Sequence, residues 1–207
     1  IPAKPAVMWF RNDLRLMDQR ALTAAMAEGG PVIPLFVLDD ETPGAWRIGG
    51  ASRWWLHESL TSLAADLAER GSRLILRRGA AREVVPKFAR EVGATTVFCS
   101  RAYEPWAGGL ETDLKAALEQ DGIALKRYAG ALLFDPDAVK TQTGGPFRVY
   151  TPFWRAVTAK EGPRTPVPAP KTIAAPRDWP KSDALKSWAL TPLKPDWAGG
   201  LRAAWSP

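Results

Sequence analysis

The sequence is poor in the residues that metal and thiol chemistry need. Cys99 is the one cysteine and His57 the one histidine among 207 residues. A single cysteine excludes an intrachain disulfide. A thiol closing the apolar run Val97, Phe98 suggests a reducing, cytoplasmic setting. One histidine and one cysteine far apart make a zinc centre improbable, so no metal site is expected. His57 lies one residue off the apolar stripe of its helix, which suits a structural role better than a place in a hydrolase triad. Long apolar runs are missing too. None approaches a membrane span, and the N-terminus shows no signal-peptide pattern, so no membrane partner is expected. The common phosphate motifs, G-x-x-x-x-G-K-[ST] and a G-x-G-x-x-G after the first strand, are absent. The Gly49, Gly50 pair ahead of a helix is a weak anion signal. Blocks of like charge are also lacking. The 28 Lys and Arg alternate with 22 Asp and Glu, giving a net +6 that permits contact with phosphate without demanding it.

What is present is a globular pattern, with an apolar fraction of 46%. Short apolar runs alternate with amphipathic segments over the first two-thirds of the chain. Strands are expected at 6–10, 32–38, 74–76, 96–99 and 123–128. Helices are expected at 23–28, 52–70, 82–92 and 110–120. Leu56, Leu60, Leu63 and Leu67 form the stripe of the second helix, with Ser52 as its N-cap and Gly71 just past its end. Pro86 is expected in the first turn of the third. Strand, helix, strand repeated in this way implies parallel strands with right-handed crossovers. The fold class expected is α/β: a Rossmann-like, doubly wound, parallel five-stranded sheet over residues 1–135, followed by a connecting segment over 136–207.

That segment changes character. From Pro163 to Pro207 prolines recur too often for long regular structure. Yet Trp179, Trp188, Trp197 and Trp205 are unlike a free linker. The reading is an extended Pro/Trp-rich strap whose rings dock on a folded surface.

In open α/β sheets, ligands sit beyond the carboxyl ends of the strands, where strand order reverses. That rule gathers Arg11, Asn12, Asp13 and Arg15 after strand one, Asp39 and Asp40 after strand two, and Ser100, Arg101, Tyr103 and Glu104 after strand four. Both charges and an aromatic suit a polar, ring-containing ligand. Asp39 and Asp40 would equally serve as turn caps, and Arg11 and Asp13 as a mutual pair.

The run Val7-Met8-Trp9-Phe10-Arg11-Asn12-Asp13-Leu14-Arg15 resembles the opening signature of the DNA photolyase/cryptochrome family, with its W-F-R-x-D-L-R core. Further matches follow in order: Val37-Leu38-Asp39, then Ser52-Arg53-Trp54-Trp55-Leu56-His57-Glu58-Ser59-Leu60. Tyr103-Glu104-Pro105, Phe147-Arg148-Val149-Tyr150-Thr151-Pro152-Phe153-Trp154 and Pro195-Asp196-Trp197 complete the series. The resemblance implies an N-terminal antenna-binding half of a deoxyribodipyrimidine photolyase, a flavoprotein lyase that repairs pyrimidine dimers in DNA with light. A cryptochrome-type blue-light photoreceptor, or a pigment-binding remnant without repair activity, is the alternative. The family's C-terminal helical domain, which binds FAD and damaged DNA, is expected to be absent. The fragment alone is then expected to hold no FAD, to carry no catalytic residue and to be inactive in repair. The resemblance further implies a light-harvesting chromophore near Arg11, Phe36, Asp39, Arg53, Tyr103 and Glu104. Glu104 falls where folate-binding members set a glutamate against the pterin ring, favouring 5,10-methenyltetrahydrofolate. Arg11, Phe36, Asp39 and Arg53 fall near positions used by members that bind 8-hydroxy-5-deazaflavin, the alternative pigment.

Overall fold

The computed structural model describes residues 3–130, 132–160, 162 and 164–204. Of the strap residues named above, Pro163, Trp205 and Pro207 lie outside them. Five strands, β1 (Ala6–Phe10), β2 (Val32–Leu38), β3 (Ile75–Arg78), β4 (Thr96–Ser100) and β5 (Ala124–Tyr128), form one sheet in the order β3-β2-β1-β4-β5. Every neighbouring pair is parallel. Helices α1 (Arg20–Ala27), α2 (Gly50–Glu69), α3 (Ala81–Glu91) and α4 (Ala107–Gln120) make the crossovers. The doubly wound fold expected from the sequence is the fold present.

Alternation along the strands builds two cores, as a period of two requires. Met8 and Phe10 of β1 join Phe36, Leu38 and Phe98 beneath Leu22 of α1 and Leu60, Leu63 and Leu67 of α2. Val7 and Trp9 face the other way, with Leu35, Val97 and Cys99, beneath Phe88 of α3 and Leu114 and Leu118 of α4. Gly29 and Gly71, at φ +75° and +74°, close α1 and α2 in the left-handed conformation that stops a helix.

Three local expectations shift. α2 begins at Gly50 after an extended Gly49, so Ser52 stands in its first turn rather than at its cap. α3 begins at Ala81, which leaves Pro86 in the second turn, where it lacks the N–H that would reach the Arg82 carbonyl. β5 begins at Ala124 rather than at Ile123, and it is a mostly exposed edge strand.

The connecting segment has two halves. Its later half docks on the α/β layers. Ile173, Trp188 and Leu190 enter the core under α1 and α2. Backbone bonds pin it as well: Ile173 N–H donates to the Arg70 carbonyl at 2.9 Å, Val32 N–H to the Ala174 carbonyl at 2.9 Å, and Asp18 N–H to the Val167 carbonyl at 2.7 Å. On the edge strand β3, Leu76 N–H donates to Ser182 Oγ at 2.9 Å, and the Leu76 carbonyl accepts from Asp183 N–H at 2.9 Å. The earlier half carries a helix that sequence patterning missed, α5 (Tyr150–Thr158), none of whose residues is buried. Pro152 sits in its first turn, where proline is tolerated. A short helix, α6 (Gly199–Ala204), ends the described chain.

Candidate functional site

Strand order reverses between β1 and β4, so a crevice opens beyond their carboxyl ends. Arg11 is the first residue past β1. Its backbone N–H donates to Asp13 Oδ1 at 3.1 Å. Its side chain goes elsewhere: Nη1 donates to Glu111 Oε1 at 2.6 Å and to the Ser100 carbonyl at 3.4 Å. The guanidinium carbon lies 4.7 Å from the Trp9 ring centroid, within cation–π range. A side-chain pair between Arg11 and Asp13 is therefore not formed. Asp13 instead accepts from Gln19 Nε2 at 2.7 Å, and Gln19 Oε1 accepts from Ser100 Oγ at 3.1 Å.

Glu111 is the buried hub of this network. It also accepts from Arg127 Nη1 at 2.5 Å and from Ala102 N–H at 3.1 Å. Burial pulls its carboxyl upward, but the hydrogen bonds from Arg127, Arg11 and Ala102 outweigh that and hold it below the ordinary 4.5. One donor remains over. Arg11 Nη2 is buried without a hydrogen-bond partner among the described residues. A buried unsatisfied donor is costly, so the place favours an incoming acceptor.

Glu104 sits in the loop between β4 and α4. Its Oε1 accepts from Asn12 Nδ2 at 2.7 Å and its Oε2 from Tyr103 N–H at 3.1 Å. Each oxygen keeps acceptor capacity. Asp39, just past β2, is a turn cap. It takes Glu41 N–H at 2.9 Å, Thr42 N–H at 2.8 Å, Thr42 Oγ1 at 2.5 Å and Ala81 N–H at 2.8 Å. Burial again raises its carboxyl and these bonds lower it further, leaving it below the usual value.

These groups border a cavity of about 800 Å³. Arg11, Phe36, Asp39 and Glu104 line it, four of the six residues expected to bind ligand. Arg53 and Tyr103 are not on its wall. Arg53 reaches instead to Asp40. Tyr103 OH donates to Asp135 Oδ2 at 3.0 Å, and its ring lies under the Arg101 guanidinium at 5.2 Å. The wall also holds residues that sequence reasoning missed: Trp46, Trp55 and Trp106 beside Trp9. Trp46 is 72% exposed. Glu111 was missed as well. Its signal was a carboxylate on the buried stripe of α4, in step with Leu114 and Leu118.

Other chemistry finds no support here. Burial pushes the Cys99 thiol up to about 12, which leaves it protonated and unreactive. Among the described residues no group of His, Cys, Asp and Glu could hold a metal ion, and no helix is long and apolar enough to cross a membrane.

The chain is similar to known proteins. The family model described as DNA photolyase matches residues 6–171. A deoxyribodipyrimidine photo-lyase of Agrobacterium fabrum is 43% identical over 203 residues, which is 98% of this chain and 42% of that protein. Cryptochrome-1 of Arabidopsis thaliana is 35% identical over 170 residues, 81% of this chain and 25% of that protein. The crystal structure of a bacterial class III photolyase from Agrobacterium tumefaciens matches with a TM-score of 0.93 at 42% identity, covering 100% of this chain and 42% of that one. The chain spans less than half the length of these relatives.

Proposed function

The chain belongs to the DNA photolyase family, and from that premise we propose that it is the light-gathering part of a deoxyribodipyrimidine photo-lyase. The observation that carries this reading is the aromatic-walled cavity at the strand ends, lined also by Arg11 and Glu104. The cavity suits a planar, conjugated pigment. Flat rings offer stacking faces, and Glu104 offers an acceptor to an N–H edge. A bound pigment would supply absorption of near-ultraviolet and blue light. The chain's own task is then to hold that pigment in one orientation and keep water from its faces, not to move protons or form bonds. We favour 5,10-methenyltetrahydrofolate, because a pterin presents paired N–H donors to a carboxylate such as Glu104. An 8-hydroxy-5-deazaflavin is the alternative.

FAD and DNA bearing pyrimidine dimers belong, on this reading, to the remaining length of such relatives; within this chain the α/β domain gives way to the connecting segment near residue 135, and the setting is cytoplasmic. Residues 1–135 hold 17 basic and 17 acidic side chains, and residues 136–207 hold 11 and 5, so the whole +6 lies on the connecting segment. Attraction for phosphate is therefore a property of that segment and not of the cavity. A cryptochrome-type blue-light photoreceptor, or a pigment-binding remnant without repair activity, is the second reading, since Cryptochrome-1 is 35% identical.

Titration of both pigments into the purified chain, followed by absorbance, tests the site. Glu104→Ala should weaken folate binding about tenfold or more, the loss of a charge-assisted bond. Arg53→Ala should change affinity little, since Arg53 stands off the wall. Equal folate binding by wild type and Glu104→Ala would remove Glu104 from the site.

A further inference from the structure

Ten tryptophans occur in 207 residues, and four of them, Trp9, Trp46, Trp55 and Trp106, stand on the cavity wall. They come from four separate places in the fold: β1, the turn after β2, α2, and the residue ahead of α4. Two more stand one ring behind. Trp54 lies 6.1 Å, centroid to centroid, from Trp55. Trp188 lies 6.1 Å from the wall residue Phe36. Trp9 and Trp188 also serve the two cores. Core packing does not call for a ring as exposed as Trp46. The wall is richer in indole than closing the fold requires.

We propose that these tryptophans are themselves light collectors, feeding the pigment in the cavity with ultraviolet energy. The inference rests on the pigment reading above and adds a second donor layer to it. Indole absorbs in the ultraviolet and emits at longer wavelength, where conjugated pterins absorb. Excitation passes through space between transition dipoles, and its rate falls with the sixth power of distance. Rings in contact with the acceptor therefore transfer faster than they emit. The pigment's lower excited-state energy makes the transfer one-way. No bond forms or breaks, and nothing is oxidised or reduced; only the excitation moves. Trp54 relays into Trp55 of the wall by the same coupling. The functional consequence is a wider action spectrum. Indole absorbs in the region where nucleic-acid bases absorb, so light that damages DNA would also be gathered.

The test is an excitation spectrum of pigment emission from the whole chain saturated with 5,10-methenyltetrahydrofolate. A tryptophan band is expected in it. Total tryptophan emission should fall by about half, the share of the four wall rings and Trp54 among ten if all emit equally. Trp46→Phe, at an exposed position, should lower the band by about a fifth at pigment saturation, as one collecting ring of five. The unfolded chain mixed with the same pigment should show no band. Saturable binding without a tryptophan band overturns the inference and leaves the pigment reading standing. An unchanged band in Trp46→Phe overturns the wall as its source. Absence of saturable binding overturns the pigment reading, and the inference with it.

Discussion

Two stretches follow the last strand, similar in their rings and opposite in what becomes of them. The stretch around α5 carries Tyr150, Phe153 and Trp154, and the stretch over residues 164–190 carries Trp179 and Trp188. Tyr150 and Trp154 stack on each other at 6.2 Å and 12°, yet remain 70% and 51% exposed. Trp188 is 5% exposed, its Nε1 donating to Asp183 Oδ2 at 3.2 Å. The difference lies in the backbone. The later stretch exchanges main-chain bonds with Asp18, Val32, Arg70 and Leu76 of the α/β layers. α5 satisfies its backbone within its own turns and owes the layers nothing. Aromatic rings supply the area for docking, but fixed backbone contacts decide where it occurs.

The largest expected effect is on stability. Trp188→Ala should cost about 3–5 kcal/mol in denaturant unfolding, as truncation of a buried ring does. Trp154→Ala should stay within about 0.5 kcal/mol. Similar losses from both would erase the contrast. Next comes local opening. Limited proteolysis should cut within residues 132–160 roughly tenfold faster than within 164–190, since opening energies follow buried contact. First cuts inside 164–190 would break the comparison.

The smallest effect separates the layers from α5 by acid. Glu111 has a carboxyl held below 4.5 in the folded chain. Its contribution to stability is therefore full above about pH 4.5 and is lost as the pH falls below that, when the folded chain must take up the proton. Acid should loosen the layers and the docked stretch together. Glu111→Gln should show a shallower loss below that pH in denaturant titrations. An identical acid profile in wild type and variant would detach Glu111 from it.

The sheet was legible because β1, β2 and β4 are short apolar runs and Gly29, Gly71, Gly93 and Gly122 end the helices between strands. Docking of the strap was legible in part from its tryptophans: Trp188 is buried and Trp179 packs on the layers, whereas Trp197 stays exposed. α5 was not legible, since Thr151, Pro152 and Phe153 read as a chain break rather than a first turn. At the site, topology gathered Arg11, Asp39 and Glu104, because loops after adjacent parallel strands must meet, and the family resemblance added Phe36. The resemblance placed Arg53, and topology Tyr103, on a wall that neither lines. Their polar ends found Asp40 and Asp135, partners that strand order does not rank. Trp46 and Trp106 lie in connections where no periodicity marks an inward face, so the cavity's indole lining emerged only in three dimensions.

The clasp of Ser182 and Asp183 on Leu76 bears on how copies of the chain behave in a crowd. A parallel sheet with free rims is a seed onto which foreign strands can crystallise. On the β3 rim, the Leu76 donor and acceptor are already taken by the chain's own strap, so an intruding strand meets a filled ladder there. The opposite rim, β5, carries Lys126 and Arg127, whose cations are engaged by Glu28 and Glu111. A segment that looks like mere tether thus works as a chain terminator, capping growth of the sheet on the β3 side.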